Sequence, residues 1–239
     1  MKSVTGILIV FLIFGLTSCQ FRKRAPASKP QSEIVKKYDE TGKLVATITM
    51  KDGKRNGITT AFYKDGNVSV ESNYVNNIKS GIEKKYYENG TVYRIRQYLN
   101  GKMNGEEKRY YRNGILMTRQ TYKDNMPAND LREYYRNGNL ITKYPKLVFK
   151  IIRNRDYQKQ KIVQFYFEDR SNPVQFYEGK LLEDKYFNNL ASPLPIKNGT
   201  GELVVYKNFS GKVTIAAKMI TRNRAPYIIQ KDFYITADK

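Results

Sequence analysis

Tyr98-Leu99-Asn100-Gly101-Lys102-Met103-Asn104-Gly105-Glu106-Glu107-Lys108-Arg109-Tyr110-Tyr111-Arg112-Asn113-Gly114 is the stretch on which the reading of this chain turns. It holds two reversal signals, Asn100-Gly101 and Asn113-Gly114. Glycine and asparagine tolerate positive φ, which tight turns between antiparallel strands require. The run between the signals suits a strand and is too short for an ordinary helix.

Working outward, the same pattern returns every 24 residues. Glycines stand at Gly42, Gly66, Gly90, Gly114 and Gly138, and the last four follow Asp65, Asn89, Asn113 and Asn137. A second group of loop positions keeps the same step: Gly53, Asn77, Gly101 and Asn125, followed four residues later by Gly57, Gly81, Gly105 and Asn129. Asparagine replacing glycine in phase points to a backbone requirement, because asparagine is the next residue to tolerate that conformation.

Side chains keep step too. Leu44, Val68, Val92, Leu116 and Leu140 form one column, and Met50, Tyr74, Tyr98 and Tyr122 a second. Phe62, Tyr86, Tyr110 and Tyr134 form a third, with Tyr63, Tyr87, Tyr111 and Tyr135 immediately after them as a fourth. Adjacent residues on a strand face opposite ways, so the last two columns belong to opposite faces of a sheet. Each repeat is therefore expected to be one β-hairpin, with tyrosine stacked on tyrosine. At about 4.8 Å per strand, four hairpins extend roughly 40 Å. One hairpin cannot bury its apolar face alone, so neighbouring repeats must supply stability.

Tyr98 to Gly105, read with Tyr110 to Gly114, resembles the MORN repeat (membrane occupation and recognition nexus). The closer likeness is to its bacterial variant with a Tyr-x-Asn-Gly-Lys-x-x-Gly pattern. The resemblance covers about residues 36–144 and implies an elongated antiparallel sheet of hairpins. Some bacterial members of that group are described as antitoxin or immunity proteins, and MORN arrays elsewhere are linked to membrane or protein association. One departure stands out: Pro127 enters the last loop. Terminal units that depart from a repeat are expected to act as caps.

The first residues read as an export signal. Lys2 gives the positive start, Val4 to Leu16 is an apolar run of suitable length, and Leu16-Thr17-Ser18-Cys19 follows. This resembles the lipobox of bacterial lipoproteins, which implies cleavage before Cys19 and lipid on that residue. Cys19 is the only cysteine of the chain, so no intramolecular disulfide forms. The competing reading is an uncleaved transmembrane anchor, because Ser3 to Phe21 carries no charge. From Gln20 to about Val35 the chain is basic, contains two prolines and has no apolar period, as expected of a tether. Gln20 after the cysteine slightly favours the outer membrane by analogy. The domain reading is thus signal peptide 1–18, lipidated basic tether 19–35, hairpin repeats 36–144 and a β-rich domain 145–239.

Beyond Tyr144-Pro145 the rhythm stops, but strand-like runs continue at Leu147–Ile152, Ile162–Glu168, Leu203–Tyr206, Val213–Met219 and Tyr227–Ile235. Val163, Phe165 and Phe167 alternate with Ile162, Gln164 and Tyr166, which predicts a strand with one face more deeply buried. Asn198-Gly199, Ser210-Gly211 and Asn223 to Pro226 supply turns. Leu181 to Leu190 is expected to form a short helix. The fold class is all-β: an elongated antiparallel sheet of MORN-like hairpin repeats, followed by a small β-sandwich-like domain. An extension that caps the repeat sheet is the alternative for this last part.

Chemistry is sparse. The chain contains no histidine, and lipid would consume its one thiol, so the commonest nucleophile–base pairs and most zinc sites have no residues to form them. No phosphate-binding glycine motif occurs, and no cofactor or metal is expected. Glu106-Glu107 and Glu183-Asp184 are read as solvated surface. The net charge of +21 is spread along the chain rather than concentrated, so no nucleic-acid site is expected. The candidate binding surface is the set of tyrosines Tyr63, Tyr74, Tyr86, Tyr87, Tyr98, Tyr110, Tyr111, Tyr122, Tyr134 and Tyr135. Packing alone would also produce such columns, each cross-strand pair contributing about 0.2–1 kcal/mol.

The expected role is a membrane-anchored, non-catalytic scaffold for a protein or an acidic envelope polymer. Neutralisation of a toxin partner is the narrower alternative, and an enzyme acting on envelope glycan is a further one. The sequence does not set the oligomeric state.

Overall fold

The computed structural model describes residues 32–153, 159–169, 174–187 and 192–237. The signal segment, Cys19 and most of the tether lie outside these residues. Glu33–Val35, which the sequence reading placed in the tether, belong to the first strand.

The described residues contain strands and turns and no helix. Twelve strands build the first sheet: β1 (Glu33–Tyr38), β2 (Leu44–Lys51), β3 (Lys54–Phe62), β4 (Val68–Val75), β5 (Ile78–Tyr86), β6 (Val92–Leu99), β7 (Lys102–Met103), β8 (Gly105–Tyr110), β9 (Leu116–Lys123), β10 (Met126–Pro127), β11 (Arg132–Tyr134) and β12 (Leu140–Ile141). Each main strand pairs antiparallel with its sequence neighbour, so the sheet is a meander with β1 at one edge.

Two kinds of reversal alternate along it. At the first kind, the Gly66 amide donates to the Tyr63 carbonyl and the Tyr63 amide to the Asn67 carbonyl. Gly90, Gly114 and Gly138 repeat this arrangement with Tyr87, Tyr111 and Tyr135. This is a type I turn closed by a glycine bulge, and the residue before each glycine caps it: Asp65 accepts from the Asn67 amide, Asn113 from that of Ile115. At the second kind two residues both take positive φ: Asp52-Gly53, Asn76-Asn77, Asn100-Gly101 and Asp124-Asn125. These are the two-residue turns whose twist matches that of the flanking strands. Successive turns of this kind are stitched together, since the amides of Asn77, Gly101 and Asn125 donate to the carbonyls of Arg55, Lys79 and Met103.

The set Gly57, Gly81 and Gly105 is not a set of turns, contrary to the sequence reading. These glycines have positive φ but lie in β3, β5 and β8 beside register shifts. A side chain of the neighbouring strand folds over each of them: Thr49 over Gly57, Asn73 over Gly81 and Gln97 over Gly105. The same positive φ serves a bulge in one case and a reversal in the other.

The C-terminal residues form two four-stranded sheets. One runs β13 (Leu147–Arg153), β14 (Gln160–Phe167), β18 (Thr200–Tyr206), β17 (Ile196–Lys197); the other runs β16 (Ser192–Pro193), β15 (Val174–Glu178), β19 (Gly211–Ile220), β20 (Pro226–Ile235). Inner residues of both meet in one core that includes Leu147, Val163, Phe165, Phe176, Ile215 and Phe233. The predicted alternation of β14 is present: Val163, Phe165 and Phe167 are buried, and Ile162, Gln164 and Tyr166 are half-buried. Lys161 ends that inner row fully buried, its Nζ donating to the Thr236 carbonyl at 2.5 Å.

The helix expected over Leu181–Leu190 is absent from the described part of that segment. Leu182 and Tyr186 close a tight turn whose amides bond locally, and the Ala128–Tyr186 bridge joins this turn to the repeat sheet. The distant Pro127 carbonyl accepts from the Phe187 amide and the Asn129 amide donates to the Lys185 carbonyl, so helical bonds are not needed there.

Candidate binding face and junction cleft

Cross-strand partners share a face, so the registers sort the repeat side chains into two sets. Thr59, Ser72, Glu83 and Arg96 lie in one row, and Glu107 with Gln120 and Arg109 with Thr118 continue that face. On the opposite face Glu71 lies beside Lys84 and Ile95, followed by Lys108 and Arg119.

The first face carries buried ion pairs. Glu83 accepts from Lys79 at 2.5 Å and from Arg94 at 3.2 Å, while Glu107 is clasped by Arg96 and, at 2.7 Å, by Arg109. Glu83 and Glu107 are 24 residues apart, so the ladder repeats with the fold. Burial raises the Glu83 pKa, but Lys79 and Arg94 outweigh it and hold the carboxyl below its ordinary value. Such pairs add little net stability, because removing the charges from water offsets most of their attraction. Glu107 is 3% exposed, which corrects its reading as solvated surface. Glu106 faces the other way, paired with Lys108 and Arg119, so the two adjacent carboxylates do not act together. Glu183 and Asp184 sit in the turn between Leu182 and Tyr186, Glu183 pairing with Lys123.

The tyrosine columns divide by role. The hydroxyls of Tyr63, Tyr87 and Tyr111 donate to the carbonyls of Tyr86, Tyr110 and Tyr134, each reaching into the next repeat at 2.6–2.8 Å. Their neighbour Tyr86 points to the opposite face and donates to Glu71, and burial together with that carboxylate pushes its pKa up to about 12. Tyr74 and Tyr98 carry cations over their rings, Arg55 on Tyr74 and Lys79 on Tyr98. Tyr110 and Tyr134 are half-buried at strand ends. Tyr122 is 8% exposed and Tyr135 56%, so the two ends of the candidate surface differ sharply. Of the candidate glycines, Gly42, Gly66, Gly90, Gly114 and Gly138 all occupy the bulged turns.

Tyr122 is buried where the C-terminal residues dock. The turn joining β19 to β20 lands on the charged face: Arg109 donates to the Arg224 carbonyl at 3.0 Å, Gln120 to the Pro226 carbonyl at 2.8 Å, and Thr221 to Glu133 at 2.8 Å. Tyr144 stacks on Tyr227 with ring centroids 4.4 Å apart. The C-terminal sheets thus have their own core and rest on the last repeats without extending the repeat sheet. Burial raises the Glu133 pKa above the ordinary glutamate value against the hydrogen bonds that lower it. No local pattern announces this contact, which joins residues 88 positions apart.

Beside the docked turn lies a two-part cleft. The wider part, about 770 Å³, contains Glu133, Tyr144 and Asp169 in its wall. The narrower, about 560 Å³, is lined by Tyr87, Tyr93 and Tyr111 and by Arg112, Arg136, Arg222 and Arg224, with no carboxylate among its lining residues. Arg112 lies over the Tyr87 ring and Arg136 over that of Tyr111. Sequence reasoning missed these arginines, although Arg112 and Arg136 stand one period apart, each directly after a column tyrosine. Among the described residues no group of three His, Cys, Asp or Glu side chains is placed to hold a metal ion.

No curated protein matches the chain. Residues 34–52, 55–76, 79–100 and 103–124 match the family model of the MORN repeat variant. Each matched segment spans one glycine-bulge turn with its two strands, and the hairpin around Gly138 falls outside them. The middle of this chain is therefore an array of four hairpin units similar to the MORN repeat variant.

Proposed function

We propose that this chain is a non-catalytic binding scaffold, tethered to a membrane by lipid on Cys19, that presents its repeat sheet to a macromolecular partner. The observation carrying the proposal is the partial cover of the charged face. The C-terminal module rests on β8, β9 and β11, while β1 to β6 present ring-backed cations and half-buried tyrosines with no second layer among the described residues. A platform built from copies of one unit offers a partner the same groups at regular steps, which is how repeat arrays bind extended surfaces. The sequence holds no histidine, which favours binding over acid–base chemistry. The short export signal ending at the sole cysteine supports an outer-envelope site for the tethered domain.

Crosslinking in cells tests this. Deletion of residues 66–113 removes two whole periods and leaves Cys19 and both ends of the array in phase. The full chain should capture a partner and the shortened chain should lose it; undiminished capture would refute the role of the repeats. Cys19→Ala should move the protein from the membrane fraction to the soluble one, and continued sedimentation with membranes would refute the lipid tether.

A further inference from the structure

We propose that the narrower part of the junction cleft is a docking site for an extended, acidic segment of a partner protein. The proposal rests on the scaffold reading above and names the chemistry that one part of the scaffold recognises.

The argument begins with charge. Arg112 and Arg136 reach the cleft from the repeat turns, and Arg222 and Arg224 from the β19–β20 turn opposite, so both walls are basic. All four are exposed, and none has a carboxylate within ion-pair distance among the described residues. By contrast, Arg94, Arg96 and Arg109 of the charged face all close onto Glu83 or Glu107. The contrast lies between a structural ladder that is neutralised from within and a cleft that is left positive.

Geometry adds preorganisation. With Arg112 over Tyr87 and Arg136 over Tyr111, two guanidinium groups are backed by rings at 5.1 and 5.8 Å. A ring-backed guanidinium keeps its planar edge free for bidentate bonding to a carboxylate. The rings are themselves fixed, because the Tyr87 and Tyr111 hydroxyls are bonded to the following repeat.

Spacing and composition select the ligand class. Arg112 and Arg136 are one repeat apart, which is two strand separations or about 10 Å. A peptide in the polyproline II conformation advances about 3.1 Å per residue with three residues per turn, so carboxylates three positions apart lie on one side, about 9 Å apart, and match both cations. Between the cations the lining offers Tyr93 and Met117. Tyrosine, methionine and arginine are the residue types enriched where proteins meet proteins, and tyrosine and arginine dominate the energetic centres of such interfaces. This composition favours a peptide over an acidic glycan.

The test uses the full-length chain in detergent and a fluorescein-labelled ten-residue peptide with glutamate at every third position and tyrosine and methionine between. The peptide should bind by fluorescence anisotropy, its glutamine counterpart should not, and Arg112→Gln or Arg136→Gln should each weaken binding about tenfold, the effect of losing one charge-assisted hydrogen bond. Arg136→Lys should retain part of the affinity, since charge persists without the planar fork. A polyuronate that binds with the same arginine dependence while the peptide does not would overturn the assignment in favour of glycan. Peptide binding indifferent to all of these substitutions would also overturn it. In cells, partner capture that survives Arg112→Gln with Arg136→Gln removes the cleft but leaves the scaffold, whereas absence of capture by the unaltered chain removes the scaffold itself.

Discussion

Replacing Gly105 with alanine separates two reasons for glycine in this fold. Gly105 has φ of +114° in β8, and a Cβ there would sit 2.9 Å from the Gln97 Cδ and 3.0 Å from its Cβ. Rotation can move the end of the Gln97 side chain, but its Cβ is fixed to the neighbouring strand. Gly114, in a bulged turn with φ of +81°, would place its Cβ in open space. Gly114→Ala therefore meets only the left-handed backbone penalty, about 1–2 kcal/mol. Gly105→Ala carries backbone strain on the order of 1–3 kcal/mol and, in addition, overpacking of about 1–3 kcal/mol. It also displaces Gln97, whose Oε1 accepts from the Glu106 amide at 3.4 Å. Equilibrium urea unfolding followed by tyrosine fluorescence and far-UV circular dichroism suits a chain without tryptophan. Gly105→Ala should cost about 1–3 kcal/mol more than Gly114→Ala, this difference being the overpacking share. Adding Gln97→Gly should recover that share, giving a coupling of roughly 1–3 kcal/mol in a double-mutant cycle. Equal costs at the two glycines, or a cycle with no coupling, would refute the bulge reasoning.

Tyr87→Phe and Tyr111→Phe should each destabilise the array by about 1 kcal/mol through loss of one inter-repeat hydrogen bond, measured by the same unfolding assay. Phe165→Ala should cost about 3–5 kcal/mol because that ring is fully buried in the C-terminal core, and a cost below 1 kcal/mol would deny that core. Glu133 has a raised pKa, so it binds its proton more tightly folded than unfolded; its contribution favours the fold below the ordinary glutamate range and is lost as pH rises through the raised value. Glu133→Gln should flatten that part of the stability–pH curve, and a curve as steep as the parent's would refute the assignment. Glu83 has the opposite sign: its contribution is present above its unfolded pKa and is lost as pH falls through the depressed one, so Glu83→Gln should blunt acid destabilisation.

Much of the repeat fold was readable from local chemistry. Asn-Gly and Asp-Gly turns demand positive φ at least of their glycine, so 24-residue spacing marked the hairpins without knowledge of their partners. The same local signal misled at Gly57, Gly81 and Gly105, because positive φ does not distinguish a reversal from a bulge. Long strands of the C-terminal core were legible by alternation, whereas the brief β15, β16 and β17 offered too few residues for a period. The expected helix at Leu181 failed because its backbone partners are Pro127 and Asn129, far away in sequence. The cleft was unreadable for a related reason. Arg222 and Arg224 meet Arg112 and Arg136 only after the last hairpin docks, and contacts of that range leave no periodic trace.

The hydrogen bonds from Tyr63, Tyr87 and Tyr111 all run toward the C-terminus, so each unit is pinned by the unit before it. The array accordingly has a head and a tail. Its tail is clamped by the β19–β20 turn, and its head is the fully exposed strand β1. Amide protons should exchange in a gradient falling from that head toward the clamp, and a pulling force applied at residue 33 should peel the units away in sequence order.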